Sequence, residues 1–147
     1  MIITFCGHSK IMFSEKERNK LSILLENQLI KNSYCTFYLG GYGDFDNLCL
    51  DLLKKLKLSY PHIKLVFITP YLDDNYKKLK YAKESFDEII FLPLEDVPKK
   101  YAILRRNEWM VEHADFLIAY VRYNWGGASK MLAHAKKKKK RYINLAE

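Results

Sequence analysis

Six short apolar runs divide this chain at intervals long enough to hold a helix each, and that alternation limits the possible fold more than any other feature of the sequence. The runs cover residues 2–6, 35–39, 64–69, 88–92, 116–121 and 142–145. They read as continuous apolar stretches, the pattern of strands buried on both faces of a parallel sheet. The segments between them carry apolar residues at helical spacing: Leu21, Leu24, Leu25 and Leu29; Leu48, Leu52, Leu53 and Leu56; Tyr101, Leu104, Met110 and Val111; Met131, Leu132 and Ala135. Ser14 followed by Glu17 fits a capping box at the start of the first helix. Parallel strands joined through helices cross over right-handedly and place helices on both sheet faces. The chain is therefore expected to form a three-layer α/β/α Rossmann-like domain with a mainly parallel sheet of five to six strands. With 147 residues, no internal repeat and no linker, one domain over residues 1–147 is expected. The polar, tyrosine-rich stretch 73–83 is the least defined element and reads as a lid or an exposed helix.

In open sheets of this kind a ligand binds beyond the carboxyl ends of the strands, near the point where strand order reverses. That rule selects Gly7, His8 and Ser9 after the first strand, residues 40–46 after the second, Thr69, Pro70 and Tyr71 after the third, Pro93 after the fourth, and residues 122–129 after the fifth. The turn 40–46, Gly-Gly-Tyr-Gly-Asp-Phe-Asp, leads from a strand into a helix and is shaped to receive an anion. Its glycines permit positive φ and close approach, and the first N–H groups of the next helix lack partners within that helix. Gly126 and Gly127 make a second turn of the same type, so Gly40, Gly41, Gly43, Gly126 and Gly127 are the candidate phosphate contacts. Ser129 either adds a hydroxyl to that site or caps the last helix.

His8 can donate to a phosphate or ribose, or carry a proton. Asp46 can accept from ribose hydroxyls or, in an enzyme, stabilise positive charge developing at a sugar carbon; the alternative is that Asp44 and Asp46 are simply the acids a helix start prefers. Of the adjacent Arg105 and Arg106, Arg106 is assigned the inward position, facing a phosphate or a helix-start acid. Trp125, like Tyr71 and Tyr123, suits a base stack and a dimer interface equally well. Asp115 is read as a structural cap before the fifth strand.

A formal charge of +8 raises nucleic acid as a partner, but much of the excess lies in residues 136–141, six consecutive basic residues at the end of a helical segment, where cations oppose the negative end of the helix dipole. Cys6, Cys35 and Cys49 sit in apolar contexts without metal-ligand spacing, so reduced core thiols are expected and no metal or cofactor is called for. His62, His113 and His134 likewise lack ligand spacing. No apolar stretch approaches the roughly 18 residues a membrane span needs, so a cytoplasmic protein without membrane contact is expected.

These landmarks together resemble the SLOG superfamily of Rossmann-like nucleotide-binding proteins, named for the Smf/DprA and Lonely Guy proteins, and within it the small bacterial and phage branch that opens with Thr-Gly-His-Arg. Phe5-Cys6-Gly7-His8-Ser9 is similar to that opening, with Cys6 in place of Thr and Ser9 in place of Arg. Gly40-Gly41 with Phe45-Asp46, Arg106-Asn107, the stretch from Met110 to Ala119, and Gly126-Gly127 follow in the order of the branch. In the Lonely Guy enzymes the glycine turn runs Pro-Gly-Gly-x-Gly-Thr-x-x-Glu with a catalytic Glu; here Leu39, Asp44 and Asn47 occupy the Pro, Thr and Glu positions.

The resemblance implies binding of a nucleotide or nucleotide-derived molecule, for sensing or sequestration, by a homodimer. The ligand set is Gly7, His8, Ser9, Gly40, Gly41, Gly43, Asp46, Thr69, Pro70, Arg106, Trp125, Gly126, Gly127 and Ser129. A nucleotide N-glycosidase or phosphoribohydrolase, with Asp46 and His8 as catalytic residues, is the enzyme alternative. Single-stranded nucleic-acid binding through residues 136–141 is the third reading.

Overall fold

The computed structural model describes residues 1–70 and 76–147, without the side chains of residues 76–79; the readings of Tyr71 as a stacking ring and of 73–75 as part of a lid lie outside the described residues. Strands and helices alternate from end to end: β1 (Ile2–Gly7), α1 (Glu15–Lys31), β2 (Cys35–Leu39), α2 (Asp44–Lys57), β3 (Ile63–Thr69), α3 (Tyr76–Ser85), β4 (Glu88–Phe91), α4 (Lys99–His113), β5 (Phe116–Tyr120), α5 (Gly126–Lys137) and β6 (Arg141–Asn144). All six strands join one sheet in the order β4-β3-β2-β1-β5-β6, and every neighbouring pair is parallel.

The two sheet faces separate by the period of two along each strand. Ile3 and Phe5 of β1, Phe37 and Leu39 of β2, and Phe116, Ile118 and Tyr120 of β5 pack against Leu21, Leu25 and Leu29 of α1, Leu48 and Leu53 of α2, and Ala82 of α3. Cys6, Leu117 and Ala119 point the other way, into a second core with Met110 and Val111 of α4 and Met131, Leu132 and Ala135 of α5. The apolar stripes legible in the sequence face the cores, with Leu24, Leu52, Leu56 and Leu104 half-buried at their margins, and with one correction: Tyr101, placed on the α4 stripe by spacing, is 55% exposed. The capping box forms, with Glu17 N–H donating to Ser14 Oγ and Ser14 N–H to Glu17 Oε1, both at 3.1 Å. Asp115 caps the start of β1 instead of the turn before it: Ile2 N–H donates to its Oδ2 at 2.7 Å, and Asp115 N–H donates to Ile2 O at 2.7 Å.

Successive strands step from β1 to β4 in one direction, and β5 then pairs on the opposite side of β1. Strand order thus reverses between β1 and β5, which makes the loops after these two strands the walls of the crevice where such sheets take ligands. Among the described residues no helix is long and apolar enough to cross a membrane.

Candidate functional site

The glycine turn after β2 already holds an anion, supplied by its own chain. Gly40 N–H donates to Asp46 Oδ2 at 3.1 Å, and the N–H groups of Gly41 and Tyr42 face the same carboxylate. On the other side of the turn Arg106, buried on α4, donates from its guanidinium to Gly40 O at 3.0 Å and from Nε to Asn107 Oδ1 at 3.2 Å. Burial pushes the Asp46 carboxyl up to about 6, against the opposing pull of Arg106 and the three N–H groups. Arg106 is inward, and the charge it faces is that of a helix-start acid.

The glycines of this region are required by packing. A Cβ on Gly40 would lie 2.8 Å from Arg106 Cζ, one on Gly41 (φ +69°) 2.4 Å from the Phe67 ring, and one on Gly7 2.3 Å from the Phe45 ring. Gly43, at φ +95°, leads into α2 against the backbone of Ser9, whose carbonyl accepts from Asp44 N–H at 2.8 Å. Asp44 Oδ2 accepts from Ile11 N–H at 3.0 Å, so Asp44 fastens the β1–α1 loop to α2. Asn47, where the Lonely Guy pattern has its Glu, is exposed.

The second glycine turn differs in each of these respects. At the start of α5, Trp125 holds the N-cap position with no side-chain hydrogen bond to the helix, and no acid lies in the first turn. Gly126 takes φ +88°, and a Cβ added at Gly126 or Gly127 would meet nothing within 4 Å. Free N–H groups and the positive end of the helix dipole thus face open space. Ser129 is half-buried in the same turn. Cys6 lies beneath it, its thiol donating to Ala128 O at 2.9 Å; burial holds that thiol far above its usual pKa, so it is neutral and no nucleophile.

His8 ties the loop after β1 to the loop after β5. Its Nε2 accepts from Arg122 N–H at 2.9 Å and lies 3.4 Å from Tyr123 N. Acceptance at Nε2 places the ring proton on Nδ1 of the neutral imidazole. Burial and the Arg122 cation hold the His8 pKa below its ordinary value, which keeps that neutral form in place. The His8 ring packs on Tyr123 with centroids 4.9 Å apart, and Tyr123 stacks on Trp125 at 4.6 Å and 22°.

Other positions at strand ends lie farther along the edge. Thr69 closes the β3–β4 ladder by accepting Leu92 N–H at 2.9 Å, followed by the buried Pro70. Exposed Pro93 lines a cavity of about 280 Å³ with Leu92, Leu94, Arg105 and Trp109, three strands from the β1/β5 crevice.

Two arrangements at the crevice were not legible in the sequence. Tyr120, fully buried at the end of β5, donates its hydroxyl to Glu17, which also lies 3.4 Å from Arg122 across a salt bridge. These hydrogen bonds, that of Tyr120 above all, keep the Glu17 carboxylate ionised below its usual range. Asn144 of β6 accepts Val121 N–H and donates to Val121 O, both at 3.0 Å, fixing the start of the β5–α5 loop. The only sequence signal for Glu17 is its capping box, and a Tyr or Asn partner more than 20 residues away leaves none.

The basic run lies at the opposite end of the sheet, where α5 ends and β6 begins. Lys140 Nζ donates to Glu112 O at 3.1 Å and Ala114 O at 3.0 Å, satisfying carbonyls at the end of α4. Lys136 lies over Tyr142 and Arg141 over Phe116, and Lys138 is 3.9 Å from Glu112. Lys140→Ala is accordingly expected to lower stability by about 1–2 kcal/mol in urea denaturation, because it strips a charged donor from two helix-end carbonyls. An unchanged midpoint would return Lys140 to a solvated patch.

No protein-family model matches the chain. It is 27% identical over 141 residues to the SPbeta prophage-derived protein YoqJ of Bacillus subtilis (strain 168), covering 83% of this chain and 81% of that protein. Its fold matches DNA processing protein A of Helicobacter pylori, a protein with a described single-stranded DNA binding mode, at a TM-score of 0.68 and 15% identity. That match covers 97% of this chain but 63% of the other, so the chain spans less than two thirds of it. The molybdenum cofactor carrier protein of Chlamydomonas reinhardtii superposes at a TM-score of 0.60 and 15% identity, over 97% of this chain and 74% of its own. The chain thus shares the Rossmann-like fold of these solved structures, the fold that the landmarks of its sequence imply, and has a prophage-derived protein among its relatives.

Proposed function

We propose that the chain, acting as one domain over residues 1–147, binds a nucleotide or nucleotide-derived small molecule at the β1/β5 crevice, for sensing or sequestration. The observation that carries this reading is the open start of α5: a glycine pair, no side-chain cap, no acid in the first turn and, among the described residues, no atom within 4 Å of either missing Cβ. A phosphate group suits free N–H groups at a helix start. Within this reading the 40–46 turn supports the site as a scaffold. Its N–H groups are engaged by Asp46, and a ligand phosphate would have to displace that carboxylate.

The same engagement weighs against the N-glycosidase alternative, since Asp46 serves the turn and Asn47 offers no carboxylate. Single-stranded nucleic acid is the second reading, favoured by the fold shared with the Helicobacter DNA processing protein. The sequence alone points to residues 136–141 for such binding; the engagement of four of these six cations within the protein, at the far end of the sheet from the crevice, favours the crevice as its site instead. Pairing of two copies is supported by Ile23 and Ile30, 60% and 67% exposed on α1.

Gly127→Val tests the site cleanly, since it adds bulk at the α5 start where no protein atom is displaced. The expected result is at least a tenfold loss of affinity for a nucleoside monophosphate in calorimetry, with stability changed by no more than about 0.5 kcal/mol. Unchanged affinity would remove the α5 start from the site.

A further inference from the structure

The loop after β5 keeps two large aromatic rings out of the core at the mouth of the crevice. Trp125 is 65% exposed and Tyr123 46% exposed. Neither is loose. Trp125 stacks on Tyr123, Tyr123 packs on His8, and His8 holds the loop backbone through Nε2. The stack is backed from the protein side, and the Trp125 indole is left largely in solvent. Residues 121–130 carry no acid, and of their two exposed cations Arg122 is paired with Glu17 while Lys130 lies in the first turns of α5. An occupant of this surface therefore needs a flat π-face and a negative charge.

We infer that Trp125, preorganised by Tyr123 and His8, is the platform on which the nucleobase of the ligand stacks, so that selection rests on the size of the base's π-face and favours purines. The inference rests on the nucleotide-binding reading above and adds to it the part of the ligand that is read and the residue that reads it. Stacking on an exposed aromatic ring tolerates any base but scales with overlap, and a ring already held in place loses little freedom on binding. A mononucleotide and a single strand present the same chemistry, a base joined to a phosphate, and the dependence of affinity on salt separates them.

The test compares the wild-type protein with Trp125→Ala and Trp125→Phe by calorimetry, using AMP, CMP, ribose 5-phosphate and an oligo(dA) strand as probes. Thermal melting is followed in parallel, and the exposed position predicts unchanged stability. Expected results are AMP binding tighter than CMP, a roughly tenfold to hundredfold loss of AMP affinity in Trp125→Ala, and substantial recovery in Trp125→Phe. Ribose 5-phosphate, which has no base, should bind the wild type and Trp125→Ala alike. Equal AMP affinity in all three proteins would overturn the platform while leaving the nucleotide site standing. A Trp125→Ala effect confined to sedimentation behaviour would also overturn it and make the ring a contact between copies. Binding of oligo(dA) with a steep salt slope and no AMP binding would assign the platform to a strand if Trp125→Ala weakens it tenfold or more, and would overturn the platform if that affinity is unchanged. Failure of every probe to bind the wild type would defeat the nucleotide reading itself.

Discussion

Replacing Gly43 by alanine is expected to lower the stability of the protein by about 3 kcal/mol and its melting temperature by roughly 6–12 °C. Two independent costs combine. Gly43 sits at φ +95° and ψ 167°, a region open essentially to glycine alone, which a residue with a Cβ enters at a cost of about 1–3 kcal/mol. The added carbon would also lie 2.7 Å from Ser9 Cα, and Ser9 is held by the hydrogen bond from Asp44 N–H to its carbonyl, so the obstacle is backbone that cannot rotate away. Overpacking of that kind costs about 1–3 kcal/mol. Gly127→Ala is the internal control: its φ is ordinary and its missing Cβ faces open space, so its melting temperature should match the wild type or exceed it slightly. Thermal denaturation followed by circular dichroism checks both. A Gly43→Ala protein as stable as wild type would mean that the β1–α1 loop yields easily to the turn. By the same argument Gly41→Val is a poor probe of ligand binding, because the Phe67 ring 2.4 Å away and the positive φ make it a folding mutation first.

The contrast between these two glycine turns marks the boundary of what the sequence discloses. Strand positions were legible to within a residue at either end because buried parallel strands are continuous apolar runs bounded by polar turns, and a parallel sheet leaves few ways to connect them. The switch-point rule then picked out the β1/β5 edge, where His8 bonds the loop that leads to Gly126 and Gly127. At the level of local sequence, however, Gly40-Gly41 and Gly126-Gly127 are alike. Only the fold brings Arg106 to Gly40 from 66 residues away and turns Asp46 back onto the first turn's N–H groups, while no described side chain caps the second turn in this way. Glu17 illustrates the same limit. Its capping box is local and was readable, but its bond from Tyr120 joins residues 103 apart and follows from the pairing of β5 beside β1. The basic run was ambiguous for a related reason, since the carbonyls that Lys140 satisfies belong to a different helix.

Arg106→Met should be the most damaging single change at alkaline pH, with a loss of about 3–5 kcal/mol at pH 8, because it leaves the Asp46 carboxylate without the cation that faces it inside the protein. The sign of its pH dependence follows from the same pair. In the wild type, burial raises the folded-state pKa of Asp46 to about 6, above the ordinary carboxyl value of 3.8, so this group's contribution to stability is fully present below the unfolded pKa and is lost as pH rises through about 6. Arg106 opposes that rise, and its removal lifts the folded pKa further. The deficit of Arg106→Met relative to wild type should therefore grow between pH 5 and pH 8 and shrink when Asp46 takes up its proton. Glu17 and Asp87, whose carboxyls are held below their usual pKa, weaken the fold at acid pH in both proteins alike and cancel in the difference. Asp46→Asn removes the titrating group, so in the Arg106→Met/Asp46→Asn double variant the deficit should become nearly independent of pH. Urea denaturation of the four proteins at pH 5 and pH 8 gives the coupling directly as a double-mutant cycle. A coupling that is equal at both pH values would show that Arg106 supports the glycine turn through its bond to Gly40 O alone, and that the charge of Asp46 takes no part in holding the turn closed.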